Sequence, residues 1–227
     1  MIGGEGLAVT YSVYAFDAYG TLFDVHAAVR KYASALGPQA DLVSEMWRTK
    51  QLEYSWNRSL MGRYRDFWAL TADALDYCLA RVGSVDADLR GKLLDAYFTC
   101  DCYAEVPDLL AELRRRGAKL AILSNGTPDM LQAAIANAGI AGVLDDVVSV
   151  EEVGIFKTAP QVYQRLIDRY GVAPGAISFQ SSNRWDIAGA AAMGFRPVWI
   201  NRSNAPEEYQ DLPPAAVLRS LTGLLTL

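Results

Sequence analysis

Asp17, Lys157 and Asp186 are the residues of this chain best suited to covalent chemistry. They are two carboxylates and one ammonium, each lying beyond a predicted strand. Asp17 ends the apolar run Val13-Tyr14-Ala15-Phe16 and is followed at once by Ala18-Tyr19-Gly20-Thr21, a glycine turn with a hydroxyl. A short apolar run of this kind reads as a buried strand of a parallel sheet. Open α/β sheets bind their ligands outside the carboxyl ends of the strands, where a carboxylate can act as a covalent nucleophile. Taken alone, an Asp-x-x-Gly is more often a turn or helix-cap aspartate. The other candidates carry the same double reading. Ser124 and Asn125 follow a second apolar run and either turn the chain or bind. Lys157 lies beyond a third run, where a lysine is ordinarily solvated. Ser181, Asn183 and Asp186 follow a fourth, with Asp186 placed to N-cap the next helix. Their convergence on one sheet edge favours a site over four unrelated turns.

The elements that must position these residues alternate along most of the chain. Residues 108–116 read as a helix ending at Gly117, a C′ glycine, and 119–123 as a strand. Thr127-Pro128 reads as N-cap and N1 proline of a helix reaching about Ala138. Residues 147–150 are a strand, 160–170 a helix, 176–179 a strand, 186–193 a small-residue helix and 197–200 a last core strand. Strands alternating with helices imply an α/β fold with a Rossmann-like parallel sheet covered on both faces. Between residues 25 and 103 the rhythm pauses. Amphipathic stretches at 41–57, 64–82 and 88–98, rich in aromatics, read as a helical insertion after the first strand. The expected division is a core of residues 1–24 and 104–227 with a helical cap subdomain over 25–103.

Composition bounds the function. Of 227 residues, 52% are apolar and 21% charged, enough to bury a sizeable core. The formal net charge of −5 offers nothing to a phosphate backbone or an anionic membrane. Three cysteines (Cys78, Cys100, Cys102) and one histidine (His26) supply neither a disulfide framework nor a zinc site. Reduced thiols point to a cytoplasmic protein. Residues 1–10 are small and glycine-rich, without the basic start and apolar stretch of a signal peptide, and read as a flexible extension.

Taken together, these motifs resemble the haloacid dehalogenase superfamily, and within it the L-2-haloacid dehalogenases. The resemblance rests on Phe16-Asp17-Ala18-Tyr19-Gly20-Thr21-Leu22-Phe23-Asp24-Val25, Ala121-Ile122-Leu123-Ser124-Asn125-Gly126, Phe156-Lys157 and Ser181-Ser182-Asn183-Arg184-Trp185-Asp186. In the insertion it rests on Trp47-Arg48-Thr49-Lys50-Gln51-Leu52-Glu53-Tyr54 and Ser59-Leu60-Met61-Gly62-Arg63-Tyr64, the part that selects the dehalogenase branch. Phosphatases of the superfamily carry a second aspartate two residues after the nucleophile, where this chain has Tyr19. They hold Mg²⁺ with acids after the fourth strand, where Ser182 and Asn183 stand here. One nucleophile and one distant acid make a poor cage for a hard cation, so no metal or other cofactor is expected.

The resemblance implies a mechanism and a site. Asp17 would displace halide from a short-chain L-2-haloalkanoic acid to form an ester, which water would hydrolyse to the D-2-hydroxy acid. Asp186, with Ser181 and Asn183, would orient and activate that water. Lys157 and Thr21 would hydrogen-bond Asp17 and hold it as a carboxylate. Ser124 and the backbone N–H groups of Ala18, Tyr19 and Asn125 would take the substrate carboxylate. Arg48, with Asn125, would sit beside the departing halide; alone it would read as a surface arginine. Leu52, Phe67 and Trp185 would wall the alkyl group, or simply pack cap against core, and Tyr163, close to Lys157, would tune the site or face its own helix's core. The partners implied are the small 2-halocarboxylate, water and a second copy of the chain in a homodimer, with no nucleic acid and no membrane.

Some residues depart from the family pattern: Thr158 where a proline commonly follows the lysine, Gln180 before Ser181, Arg184 beside Trp185, and Asn57 for leucine. Extra polarity near the pocket would suit a leaving group other than halide, as in the ring opening of azetidine-2-carboxylate by a related hydrolase. A phosphatase is a more distant alternative.

Overall fold

The computed structural model describes residues 11–83 and 87–227; the extension expected over residues 1–10 lies outside them. β1 (Val13–Phe16) is buried along its whole length, as a central parallel strand requires. The chain then forms α1 (Ala27–Lys31), α2 (Ala33–Leu36), α3 (Ala40–Leu60), α4 (Phe67–Val82) and α5 (Ala87–Phe98) before returning through α6 (Val106–Arg115) to β2 (Lys119–Ser124). It continues through α7 (Pro128–Ala138), β3 (Asp146–Ser149), α8 (Pro160–Tyr170), β4 (Ile177–Ser181), α9 (Arg184–Ala192), β5 (Arg196–Ile200) and β6 (Ala216–Leu218). The described strands form one sheet in the order β3-β2-β1-β4-β5-β6, every neighbour pair parallel. β1 therefore lies between β2 and β4, and their carboxyl ends carry Asp17, Ser124 and Ser181 side by side.

Local chemistry explains the element boundaries. Thr127 N-caps α7 by accepting from Met130 N (3.2 Å), and Pro128 occupies the first turn, where its missing N–H leaves no bond unmade. In α6 the buried residues Val106, Leu109, Leu110 and Leu113 follow helical spacing and face the sheet. The helix expected from residue 64 is α4, which begins at Phe67 because Asp66 N-caps it by accepting from Ala69 N (2.8 Å). α3 and α4 pack along each other and are joined by a bond from Trp47 Nε1 to the carbonyl of Thr71 (2.8 Å).

Two expectations are corrected. The strand at Arg196–Ile200 is not the last, since β6 adds to its outer edge; its three residues are apolar, but they are short of a core-strand length and none is fully buried. Asp186 does not N-cap the helix after β4: α9 starts two residues earlier with Asn183 as its N-cap, and Asp186 lies inside the first turn. A side chain there is free to face the sheet edge instead of its own backbone.

Candidate active site

The turn after β1 is fixed before any side chain is considered. Asp17 N donates to the carbonyl of Gln180 on β4 (2.9 Å), and the Ala18 carbonyl collects the N–H groups of Thr21, Leu22 and Phe23. Gly20 closes the turn at φ +94°, a conformation that side-chain-bearing residues avoid. Asp17, 5% exposed, is thus pinned at the carboxyl end of a central strand.

Its two oxygens have different company. Oδ1 receives Lys157 Nζ (3.0 Å). Oδ2 receives Thr21 Oγ1 (2.9 Å), Asn183 Nδ2 (2.9 Å) and a long contact from Ser181 Oγ (3.4 Å). The supports are supported in turn. Thr21 Oγ1 accepts from Ser182 N (2.8 Å), which commits its proton to Asp17, and Ser181 Oγ accepts from Asn183 N (3.1 Å). The Asn183 side chain makes no capping bond to α9 and is spent on Asp17 instead.

Lys157 is wholly buried and bridges both carboxylates, reaching Asp186 Oδ2 at 2.9 Å. Burial alone would lower its proton affinity, but Asp17 and Asp186 outweigh it and hold the ammonium above its ordinary value. Tyr163 OH donates to the other oxygen of Asp186 (2.7 Å). Burial first, then the charge of Asp17, raises the affinity of Asp186 for a proton, with Lys157 and the Tyr163 bond opposing. A carboxylate with raised proton affinity is a better general base. The Tyr163 phenol stays neutral: burial pushes it well above its usual range and Asp186 adds to that.

Across the sheet edge, Ser124 Oγ accepts from Gly126 N (3.0 Å), while Asn125 Oδ1 accepts from Lys157 N (3.0 Å) and so ties the lysine loop to the β2 turn. Ala18 and Tyr19 complete this edge, both buried. From the insertion, Arg48 on α3 donates to the carbonyl of Tyr19 (3.1 Å), placing a guanidinium directly over the turn that carries Asp17. Phe67 is buried against Tyr19 and Phe156, with ring centroids 6.3 and 5.8 Å apart, and Leu52 is buried on α3. Trp185 is half-buried and meets Trp56 edge-on (5.5 Å) at a cleft of about 590 Å³ that Lys157 also lines. Neither Leu52 nor Phe67 lines that cleft.

Most of the polarity expected near the pocket is directed elsewhere. Arg184 turns toward the C-terminal segment, donating to Glu207 Oε1 (2.7 Å) and to the carbonyls of Tyr209 and Leu212 (2.9 Å each). Asn57 is exposed and Gln180 donates to Ser178 on its own strand, whereas Thr158, though exposed, does line the cleft beside Lys157. Residues given no role from sequence also belong to the site's structure. Gln51 and Tyr97 are buried beside Arg48, and Gly189 is the only residue size that leaves room for Tyr163: a Cβ there would lie 2.9 Å from Tyr163 Cζ. Gln51 was traceable, since it falls one helical turn after Arg48; Tyr97, on another helix, carried no such signal.

Comparison with known proteins agrees with this arrangement. Residues 11–194 match the family model of the haloacid dehalogenase-like hydrolases. The chain is 48% identical over 210 residues to (S)-2-haloacid dehalogenase 1 of Pseudomonas sp. (strain CBS-3), covering 92% of each chain. It is 43% identical to (S)-2-haloacid dehalogenase 4A of Burkholderia cepacia, covering 93% of this chain and 92% of that one. Among solved structures it superposes on L-2-haloacid dehalogenase from Xanthobacter autotrophicus with chloropropionic acid covalently bound, with a TM-score of 0.85, 36% identity and coverage of 96% and 98%. With the family model spanning most of its length and relatives this similar, the chain belongs to the haloacid dehalogenase-like hydrolases.

Proposed function

We propose that the protein hydrolyses short-chain L-2-haloalkanoic acids to D-2-hydroxy acids through an ester on Asp17. The observation that carries this reading is the asymmetric clamp on Asp17, in a chain whose position 19 is a tyrosine. Among the described residues Oδ1 has a single partner, Lys157, which leaves it a lone pair; Oδ2 is engaged by Thr21 and Asn183. Oδ1 attacks the carbon bearing the halogen, a C–O bond forms as the C–halogen bond breaks, and the halide leaves with the electron pair and inverted configuration at carbon. A halide needs no proton on departure, so an acid two residues after Asp17 would have nothing to do. Arg48 and Asn125 stabilise the departing anion, an interaction that strengthens as charge develops. Ser124 and the N–H groups of Ala18, Tyr19 and Asn125 hold the substrate carboxylate, and Leu52, Phe67 and Trp185 exclude water from the alkyl group.

In the second half-reaction water attacks Cγ of Asp17 and gives its proton to Asp186, aligned by Lys157 and Tyr163 and helped by Ser181. The charge that develops falls on Oδ2, where Thr21 and Asn183 already donate. The same donors that hold the carboxylate thus act as an oxyanion hole for its ester. The bond broken is between Cγ and the ester oxygen, so the 2-hydroxy acid keeps the oxygen it took from Asp17 and leaves with a proton.

The buried Lys157 ammonium bridges the two carboxylates and already balances part of their charge, so the pair has little need of a divalent cation. The reaction therefore proceeds without a metal. Among the described residues, 25–83 and 87–103 form the cap over a core of residues 11–24 and 104–227, and two copies pair through the cap, where Leu60 and Met61 are exposed at the end of α3. The protein works in the cytoplasm; its three cysteines are free.

Halide release from L- and D-2-chloropropionate in EDTA, with lactate resolved on a chiral column, tests the reading. Chloride from the L-substrate with D-lactate as product is expected, and Asp17→Asn abolishes it without loss of fold. A single turnover in H₂¹⁸O is expected to label Asp17 and not lactate. Activity that requires Mg²⁺, or an active Asp17→Asn variant, overturns the mechanism.

A further inference from the structure

The guanidinium of Arg48 rests on a chain of buried polar groups running into the helical insertion. Its NH1 donates to Gln51 Oε1 (2.8 Å), and its NH2 to the Tyr19 carbonyl (3.1 Å). Gln51 is wholly buried, so each polar atom of its amide must find a partner. Its Nε2 donates to Thr71 Oγ1 (2.6 Å), and Thr71 passes its own proton to the Phe67 carbonyl (2.7 Å). This fixes the polarity of the chain: because Thr71 is already a donor, the Gln51 amide must present NH₂ to Thr71 and oxygen to Arg48. A flipped amide would set NH₂ against the cationic guanidinium. The Tyr97 hydroxyl lies 3.1 Å from both ends of the same amide, and its ring stacks on Tyr19 at 5.6 Å and 10°. Tyr97 therefore braces both groups that receive Arg48, the Gln51 oxygen through its hydroxyl and the Tyr19 turn through its ring.

We propose that Gln51 and Tyr97 are positioning residues that aim Arg48 at the departing halide, a role that rests on the dehalogenase reading above. Arg48 sits on a helix of the insertion and is only half-buried, while the carbon it must serve is fixed by the sheet edge. A long, flexible side chain so placed loses effect with small errors of aim, since misplacement by about 1 Å can cost about a hundredfold in rate. The buried amide and the stacked tyrosine remove that freedom before substrate arrives.

The test compares kcat for L-2-chloropropionate and L-2-bromopropionate in wild type, Gln51→Leu and Tyr97→Phe. Chloride, the poorer leaving group, depends more on Arg48. Gln51→Leu should therefore lower kcat about ten- to a hundredfold for the chloro acid and distinctly less for the bromo acid, with KM little changed. Tyr97→Phe keeps the stacked ring and should shift the bromo-to-chloro ratio in the same direction by a smaller factor. In an Arg48→Lys background neither substitution should change that ratio further. The Arg48 Nε–Hε resonance should be a single sharp signal in wild type and should broaden or shift in both variants. Equal losses for the two substrates, or losses undiminished in the Arg48→Lys background, overturn the proposal. So does an Arg48 resonance unchanged in the folded Tyr97→Phe protein. A wild type that releases no halide sinks the dehalogenase reading instead, and the Arg48 resonance still decides whether Gln51 and Tyr97 hold the guanidinium.

Discussion

The two sides of this site are held by different forces. On the sheet side, Asp17, Lys157 and Asp186 are almost entirely removed from water, and one ammonium serves two carboxylates at 3.0 and 2.9 Å. On the helical side, the half-buried Arg48 leans on neutral groups, the Gln51 amide and the Tyr19 carbonyl. A buried set of charges is costly to assemble and more costly to break, because removing one member strands the others without solvent. Neutral hydrogen bonds have a smaller net value and fail more gently. The sheet side therefore sets stability and nucleophilicity together, whereas the helical side can be altered with the fold intact.

The largest effect that would test this contrast comes from Lys157→Met, which keeps much of the side-chain volume and leaves two buried carboxylates facing each other. The expected loss is about 3–5 kcal/mol of unfolding free energy near neutral pH, read by urea denaturation, with activity lost as well. The pH dependence has a definite sign. The Lys157 proton is held more tightly in the fold than at its ordinary value of 10.5. Its contribution is thus full below 10.5 and disappears as pH rises through the folded value. Toward acid the gap should narrow too, because Asp186, whose proton affinity is raised, protonates first and relieves the variant. A loss of under about 1 kcal/mol, the range of exposed pairs, would mean the triad is not the stressed centre described here.

Gly189→Ala probes the same side more gently. The added methyl would run into the Tyr163 ring and hydroxyl, and overpacking of this kind costs about 1–3 kcal/mol. Against that stands a gain of up to about 1 kcal/mol in helix propensity, so a net loss is expected. The more specific readout is the acid limb of the kcat profile. The Tyr163 bond lowers the proton affinity of Asp186, so displacing Tyr163 should move that limb to higher pH. An unmoved limb with normal kcat would show that Tyr163 packs without tuning the base.

The same division explains what could be read from the sequence. The sheet side was open to view because three of its groups sit at the end of a buried strand or next to it: Asp17 after Val13–Phe16, Ser124 at the end of β2, and Ser181 at the end of β4. A parallel sheet brings such ends together whatever loops intervene. Errors there were local. Asp186 read as an N-cap because aspartate is as favoured a cap as asparagine and the chain offers both within four residues; the helix starts after Asn183, whose side chain turns to Asp17 instead of capping. β6 was missed because Ala216-Val217-Leu218, although apolar, is only three residues long and sits at the sheet's edge with no residue fully buried. Arg184 looked like pocket polarity by its place next to Trp185, but adjacent helical residues point about 100° apart, and it faces Glu207. The helical side is less accessible in principle: Gln51, Thr71 and Tyr97 meet from three helices, and no spacing along the chain encodes a contact of that kind.

The smallest effect belongs to that helical side, and it decides whether the contrast holds. Thr71→Val is close to isosteric and removes one hydroxyl between Gln51 and the Phe67 carbonyl. The Gln51 amide keeps Tyr97 as a partner for its NH₂, and its oxygen still faces Arg48, since turning it over would oppose NH₂ to the guanidinium. The expected loss is therefore about 0.5–1.5 kcal/mol in stability. The turnover of L-2-chloropropionate should change far less than in Gln51→Leu. Should Thr71→Val instead rival Lys157→Met in denaturation, the neutral network would be as tightly determined as the charged triad. The two sides of the site would then have to be treated as one cooperative unit.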